Sequence, residues 1–171
     1  IKQMKRLILL RHAKTEPLSD AVSDFERKLK KRGIVDANLI AGDLKKRSYL
    51  PELIISSPAK RAIQTAGVCA AVFNIPESEI MEERFVYDGD TTARMVAAIA
   101  GLAGEYNTVM VVGHNPDVAT LSMQLSGKDY FHFPTCAAAV ISFAVADWDE
   151  VNVGGGKAEY FVYPKLVKDN L

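Results

Sequence analysis

Three unbroken apolar runs, Leu7–Leu10, Leu53–Ile55 and Thr108–Val112, constrain the fold of this chain more than any other feature. A strand with one wet face alternates apolar and polar residues. An unbroken run reads instead as a strand buried on both faces, as in parallel sheets covered by helices. Helical patterns separate the runs, and that alternation predicts an α/β class: a three-layer α/β/α sandwich around a mostly parallel sheet. The 171 residues suit a single domain, taken as residues 4–171. Ile1, Lys2 and Gln3 precede Met4 and are set aside as a leader.

The first run passes into Arg11-His12-Ala13-Lys14-Thr15-Glu16, and residues 14–27 form a polar, turn-rich loop. After Gly33, residues Ile34, Ala37, Leu39, Ile40 and Leu44 recur at helical spacing up to Lys45-Lys46-Arg47, cations that suit a helix C-terminus. The second run meets Ser56-Ser57-Pro58; Ser57 as N-cap and Pro58 as first helical residue predict a helix to Phe73, burying Ala62, Ile63, Ala66, Cys69, Ala70 and Phe73. Ile80-Met81 is a short strand candidate, and Thr91 or Thr92 caps a helix running to Leu102. The third run leads into Gly113-His114-Asn115-Pro116, with Asn115 as cap of a helix that carries Val118, Leu121 and Leu125 inward and stops at Gly127. Strands are also expected over 138–145 and 158–163, joined through a connection at 147–156.

Each buried run releases functional residues at the same topological place: Arg11 and His12, then Arg61 just inside the following helix, then His114. In a parallel sheet all the carboxyl ends lie on one edge, so these segments can meet in one pocket. Helix N-termini there favour anions. Two Arg and two His at such an edge describe a site for a dianion such as phosphate, with imidazole as nucleophile and guanidinium as a fork for oxygens. Taken singly, Arg61 fits a helix surface, His114 a core histidine and His12 a polar strand end; the coincidence across three junctions favours the site.

The segments Arg11–Glu16, Ser56–Ala66 and Val112–Pro116 resemble the signatures of the histidine phosphatase (phosphoglycerate mutase-like) superfamily, and more narrowly the SixA-type phosphohistidine phosphatases. Asp24-Phe25-Glu26-Arg27 and Phe133-Pro134-Thr135 fit the same pattern, and Ala13, where the wider superfamily has Gly, is a mark of the SixA-like branch. The resemblance implies a phosphoglycerate mutase-like fold and a phosphatase that works through a phosphohistidine on His12. It implies that Arg11 and Arg61 clamp the phosphoryl oxygens and that His114 donates a hydrogen bond to them. It requires no metal and no cofactor, because arginine and histidine supply the charge. By position Glu83 matches the general acid, with Asp24 as rival, although 82–90 also reads as a solvated acidic connection. Gln64 and Thr65 are candidates for supporting Arg61, and His132, outside every motif, reads as structural.

Substrates expected on this reading are a phosphorylated protein, above all phosphohistidine, or a small phosphate-bearing molecule. A sugar- or glycerate-phosphate phosphatase or mutase is the alternative, disfavoured by the short segment 74–90, where larger members insert lids. A non-catalytic phosphate-binding module is disfavoured by the presence of both histidines. Lys plus Arg equals Asp plus Glu at 21 each, which argues against nucleic acid. No apolar run is long enough for a membrane, so a cytoplasmic protein is expected. Cys69 and Cys136 lie among Ala and Val and read as buried thiols.

Overall fold

The computed structural model describes residues 3–171, so Ile1 and Lys2 of the expected leader lie outside the described residues. Six strands form one sheet: β1 (Lys5–Arg11), β2 (Leu53–Ser56), β3 (Met81–Glu82), β4 (Thr108–Gly113), β5 (Ala138–Phe143) and β6 (Lys157–Val162), in the order β3-β2-β4-β1-β5-β6. The pairings β3–β2, β2–β4 and β4–β1 are parallel, while β5 runs antiparallel to both β1 and β6. The sheet is therefore mostly parallel, as the unbroken runs require.

Those runs divide by parity between two cores. Ile8, Leu10, Ile54, Met110 and Val112 face one side, against α1 (Lys31–Lys46), α2 (Lys60–Phe73) and α6 (Pro164–Asp169). Leu7, Leu9, Leu53, Ile55, Val109 and Val111 face the other, with α3 (Arg84–Asp88), α4 (Thr92–Ala103) and α5 (Asp117–Ser126). Both faces are dry, which is why no strand among β1, β2 and β4 alternates.

Several boundaries move. The second helix is capped by Ala59 rather than Ser57, since the Ser57 hydroxyl is engaged elsewhere. Likewise Pro116, not Asn115, caps α5, and the Asn115 amide donates to the Phe133 carbonyl at 3.0 Å. Along α1 the inward face is Gly33, Asp36, Ala37, Ile40, Ala41 and Leu44; Ile34 is exposed and Leu39 half-buried. Helices α3 and α6 and a 3-10 turn at Trp148–Glu150 were not predicted. They are too short for periodicity to register. Both cysteines are buried and free, and burial pushes the Cys69 thiol up to about 12. No helix among the described residues is long and apolar enough to cross a membrane.

Gly33 sits where α1 meets the loop after β1, and the Lys14 carbonyl fills the space a Cβ would need. Gly42, exposed on the same helix, has nothing within 4 Å of that space. Gly33→Ala is therefore expected to lower stability by about 1–3 kcal/mol, since rigid backbone must shift. Gly42→Ala is expected to raise stability by about 0.5–1 kcal/mol through helix propensity. Denaturant midpoints of the two variants check the opposite signs.

Candidate active site

The carboxyl ends of β1, β2 and β4 converge on one edge. His12 leaves β1, and its N–H donates to the carbonyl of Gly113 at the end of β4 (3.0 Å) while its carbonyl accepts from Cys136 (3.0 Å). The Nδ1 of His12 lies 2.8 Å from the carbonyl oxygen of Ala13. A carbonyl can only accept, so Nδ1 carries the proton and Nε2 is left with its lone pair. Ala13 itself is tied to α2, because its N–H donates to Thr65 Oγ1 at 3.0 Å and that hydroxyl donates to the Arg61 carbonyl at 2.8 Å.

Opposite His12 stands His114, with ring centroids 5.3 Å apart and planes tilted by 54°. Its Nε2 lies 2.7 Å from Ser57 Oγ, which already accepts from the Ala59 N–H at 3.1 Å. The Ser57 hydroxyl can donate to Nε2, and in that tautomer the His114 proton sits on Nδ1. That Nδ1 is buried and has no partner. Tyr87 packs edge-on against the His114 ring, centroids 5.5 Å apart.

The two guanidinium groups are each anchored on protein oxygens. Arg11 Nη1 donates to the Phe133 carbonyl at 2.9 Å. Arg61, 7% exposed, donates through Nη1 to the Asp24 carbonyl (2.8 Å) and through Nη2 to the Asp24 carboxylate (3.1 Å). The Nε atoms of Arg11 and Arg61 are also buried without partners. Of the four such side-chain atoms among the described residues, three belong to residues at this edge; the two arginine Nε atoms are donors, and His114 Nδ1 is one when Ser57 donates to Nε2. A set of unmet buried donors is a site for an acceptor-rich anion.

Burial and positive neighbours hold both imidazoles neutral. Desolvation, with the charges of His114, Arg61 and Arg11, takes His12 down to about 3, against a smaller opposing effect of the Ala13 hydrogen bond. Desolvation and Arg61 take His114 down to about 4. For Asp24, burial alone would raise the carboxyl, but hydrogen bonds from Arg27, Arg61 and Tyr87 and the Arg61 charge outweigh it and hold the group low.

The structure thus brings His12, Arg11, Arg61 and His114 together. Glu83 caps α3 at the same edge, where its N–H donates to the Ser56 carbonyl at 2.9 Å. Its half-buried carboxylate has no hydrogen bond or ion pair among the described residues. Gln64 braces the loop, its Oε1 accepting from the Leu29 N–H at 2.8 Å. His132 lies apart, exposed and edge-on to Tyr163. Sequence reasoning missed Tyr87, which lies in an acidic stretch with no motif, and did not foresee that Ser57 bonds His114. Among the described residues no group of three or more His, Cys, Asp or Glu could hold a metal ion.

The model of the histidine phosphatase superfamily (branch 1) matches residues 7–85. An uncharacterized chloroplastic protein of Arabidopsis thaliana is 32% identical over 94% of this chain and 78% of its own length. The structure of the protein histidine phosphatase SixA complexed with tungstate is similar at TM-score 0.81 and 26% identity, over 95% of this chain and 99% of that one. A crystal structure from Agrobacterium tumefaciens, described as that of a putative phosphohistidine phosphatase SixA, is similar at TM-score 0.77 and 30% identity, over 94% and 98% of the two chains. The chain belongs to the histidine phosphatase superfamily, and within it to the SixA type.

Proposed function

We propose that this protein is a metal-independent phosphatase that works through a phosphohistidine on His12, acting on phosphohistidine or other exposed phosphate groups of proteins. The observation that carries the reading is the Nδ1–H of His12 held by the Ala13 carbonyl, which leaves Nε2 as a neutral nucleophile beside the unmet arginine donors. Tungstate bound to a SixA at 26% identity supports an oxyanion in such a site.

The reaction follows from these groups. His12 Nε2 attacks phosphorus in line, so the N–P bond forms as the bond to the leaving atom breaks. Arg11, Arg61 and His114 Nδ1–H meet the equatorial oxygens, where charge is spread in the transition state. Glu83 is the proton donor to the leaving atom. Asp24 is poorly suited to that task, because three donors already hold its carboxylate ionised, and it serves instead to aim Arg61. Water then attacks phosphorus and gives its proton to Glu83, and the N–P bond breaks to return neutral His12 and inorganic phosphate.

His12→Ala is expected to abolish turnover of a generic aryl phosphate, while Arg61→Ala and His114→Ala each cost on the order of 10² or more in kcat. The native activity should survive EDTA. Near-normal turnover in His12→Ala, or activity lost to chelator and restored by Mg²⁺ or Zn²⁺, contradicts the reading.

The depressed histidines also couple stability to pH. Both bind a proton more weakly folded than unfolded, so stability is fully present above the ordinary value of 6.5 and falls as pH drops from there toward 4 and 3. In phosphate-free buffer the loss between pH 7 and pH 5 is expected to reach about 2–4 kcal/mol. The loss should shrink in His12→Asn/His114→Gln. Denaturant titrations at the two pH values check it, and an equal loss in the double variant contradicts it.

A further inference from the structure

Beside the nucleophile loop lies a second cavity, of about 380 Å³, that the proposed reaction does not use. Lys14, Arg32, Lys165 and Lys168 converge on it from the loop after β1, from the first turn of α1 and from α6. Lys168 is spoken for, since its Nζ lies 2.7 Å from the buried Asp36 carboxylate. Lys14, Arg32 and Lys165 have no ion pair among the described residues, and Asp169 is the one other carboxylate lining the cavity. Its remaining walls are largely apolar or aromatic, with His132 edge-on to Tyr163 at 5.3 Å and Pro134 and Pro164 nearby.

Three separate segments therefore bring cations without an ion pair to the walls of one concave space, a different arrangement from lysines scattered over a convex surface. The cavity also shares a wall with the catalytic edge. Thr135 lines it, and the next residue, Cys136, donates its N–H to the His12 carbonyl. Lys14 is only two residues beyond His12, a span of at most about 7 Å. Its backbone is fixed by the Lys30 N–H at 2.9 Å and by the close approach of Gly33.

We propose that this cavity is a subsite for a second anionic group of the substrate, a carboxylate or a phosphate, held next to the phosphoryl group being transferred. The proposal rests on the catalytic reading above and deepens it. Side chains one or two positions apart on an extended peptide are separated by about 3–7 Å, the same scale as the backbone reach from His12 to Lys14, so the second anion suits an acidic residue flanking a phosphohistidine. The far phosphate of a small bisphosphate would present the same chemistry.

The test compares kcat/KM for phosphohistidine peptides flanked by Glu or by Gly, and for propanediol bisphosphate against its monophosphate. The native enzyme is expected to favour the second anion by about tenfold in at least one pair, the scale of two partly exposed charge contacts. Which pair responds identifies the source of the anion. In Arg32→Gln/Lys165→Gln that preference should vanish while aryl phosphate turnover stays unchanged. Calorimetric affinities of the same pairs for the His12→Ala protein make the comparison without turnover, so a failed subsite and a failed catalytic reading are seen separately. No preference in either pair by rate or affinity, or a preference that survives in the double variant, overturns the proposal.

Discussion

The peptide unit of Ala13 is the joint on which the site depends. Its carbonyl accepts from His12 Nδ1, and its N–H donates to Thr65, whose hydroxyl in turn holds the Arg61 carbonyl. One buried residue therefore sets the tautomer of His12 and registers the β1 loop against the helix that carries Arg61. Ala13 and Thr65 are fully buried, so neither bond competes with water. Gly33 completes the joint from the other side, since only a residue without a side chain lets α1 approach Lys14 so closely.

The electrostatics follow from the same placement. Two guanidinium groups stand at the edge, and Asp24 is the carboxylate that pairs with one of them. Burial above all, with the arginine charges, keeps both imidazoles neutral, and neutral imidazole is the nucleophilic form. On the proposed reading, a phosphoryl dianion meets the unmet arginine donors. Preorganisation of this kind stabilises charge developing in the transition state without reorganising solvent.

Much of this was legible before any coordinates, for a physical reason. Buried parallel strands write themselves as unbroken runs, and their carboxyl ends must share an edge, so Arg11, His12, Arg61 and His114 could be grouped from topology alone. Capping was less legible. Ser57 and Asn115 carry the side chains of good N-caps, but each bonds across the edge, to His114 and to Phe133, and tertiary contacts overrode the local preference. Tyr87 was invisible because α3 is five residues long and shows no period. Ile34 was misplaced on the inner face because the small residues Gly33, Ala37 and Ala41 let α1 pack closely along a different stripe.

The central claim is that His12 Nε2 carries the phosphoryl group between the two half-reactions. Rapid quench with an aryl phosphate, followed by mass spectrometry and NMR of the trapped phosphoenzyme, tests it most directly. The account predicts one phosphorylated residue, His12, substituted at Nε2, with a bond that survives alkali and is lost in acid. An acid-stable adduct on Ser56 or Ser57, or phosphorylation of His12 at Nδ1, would contradict it.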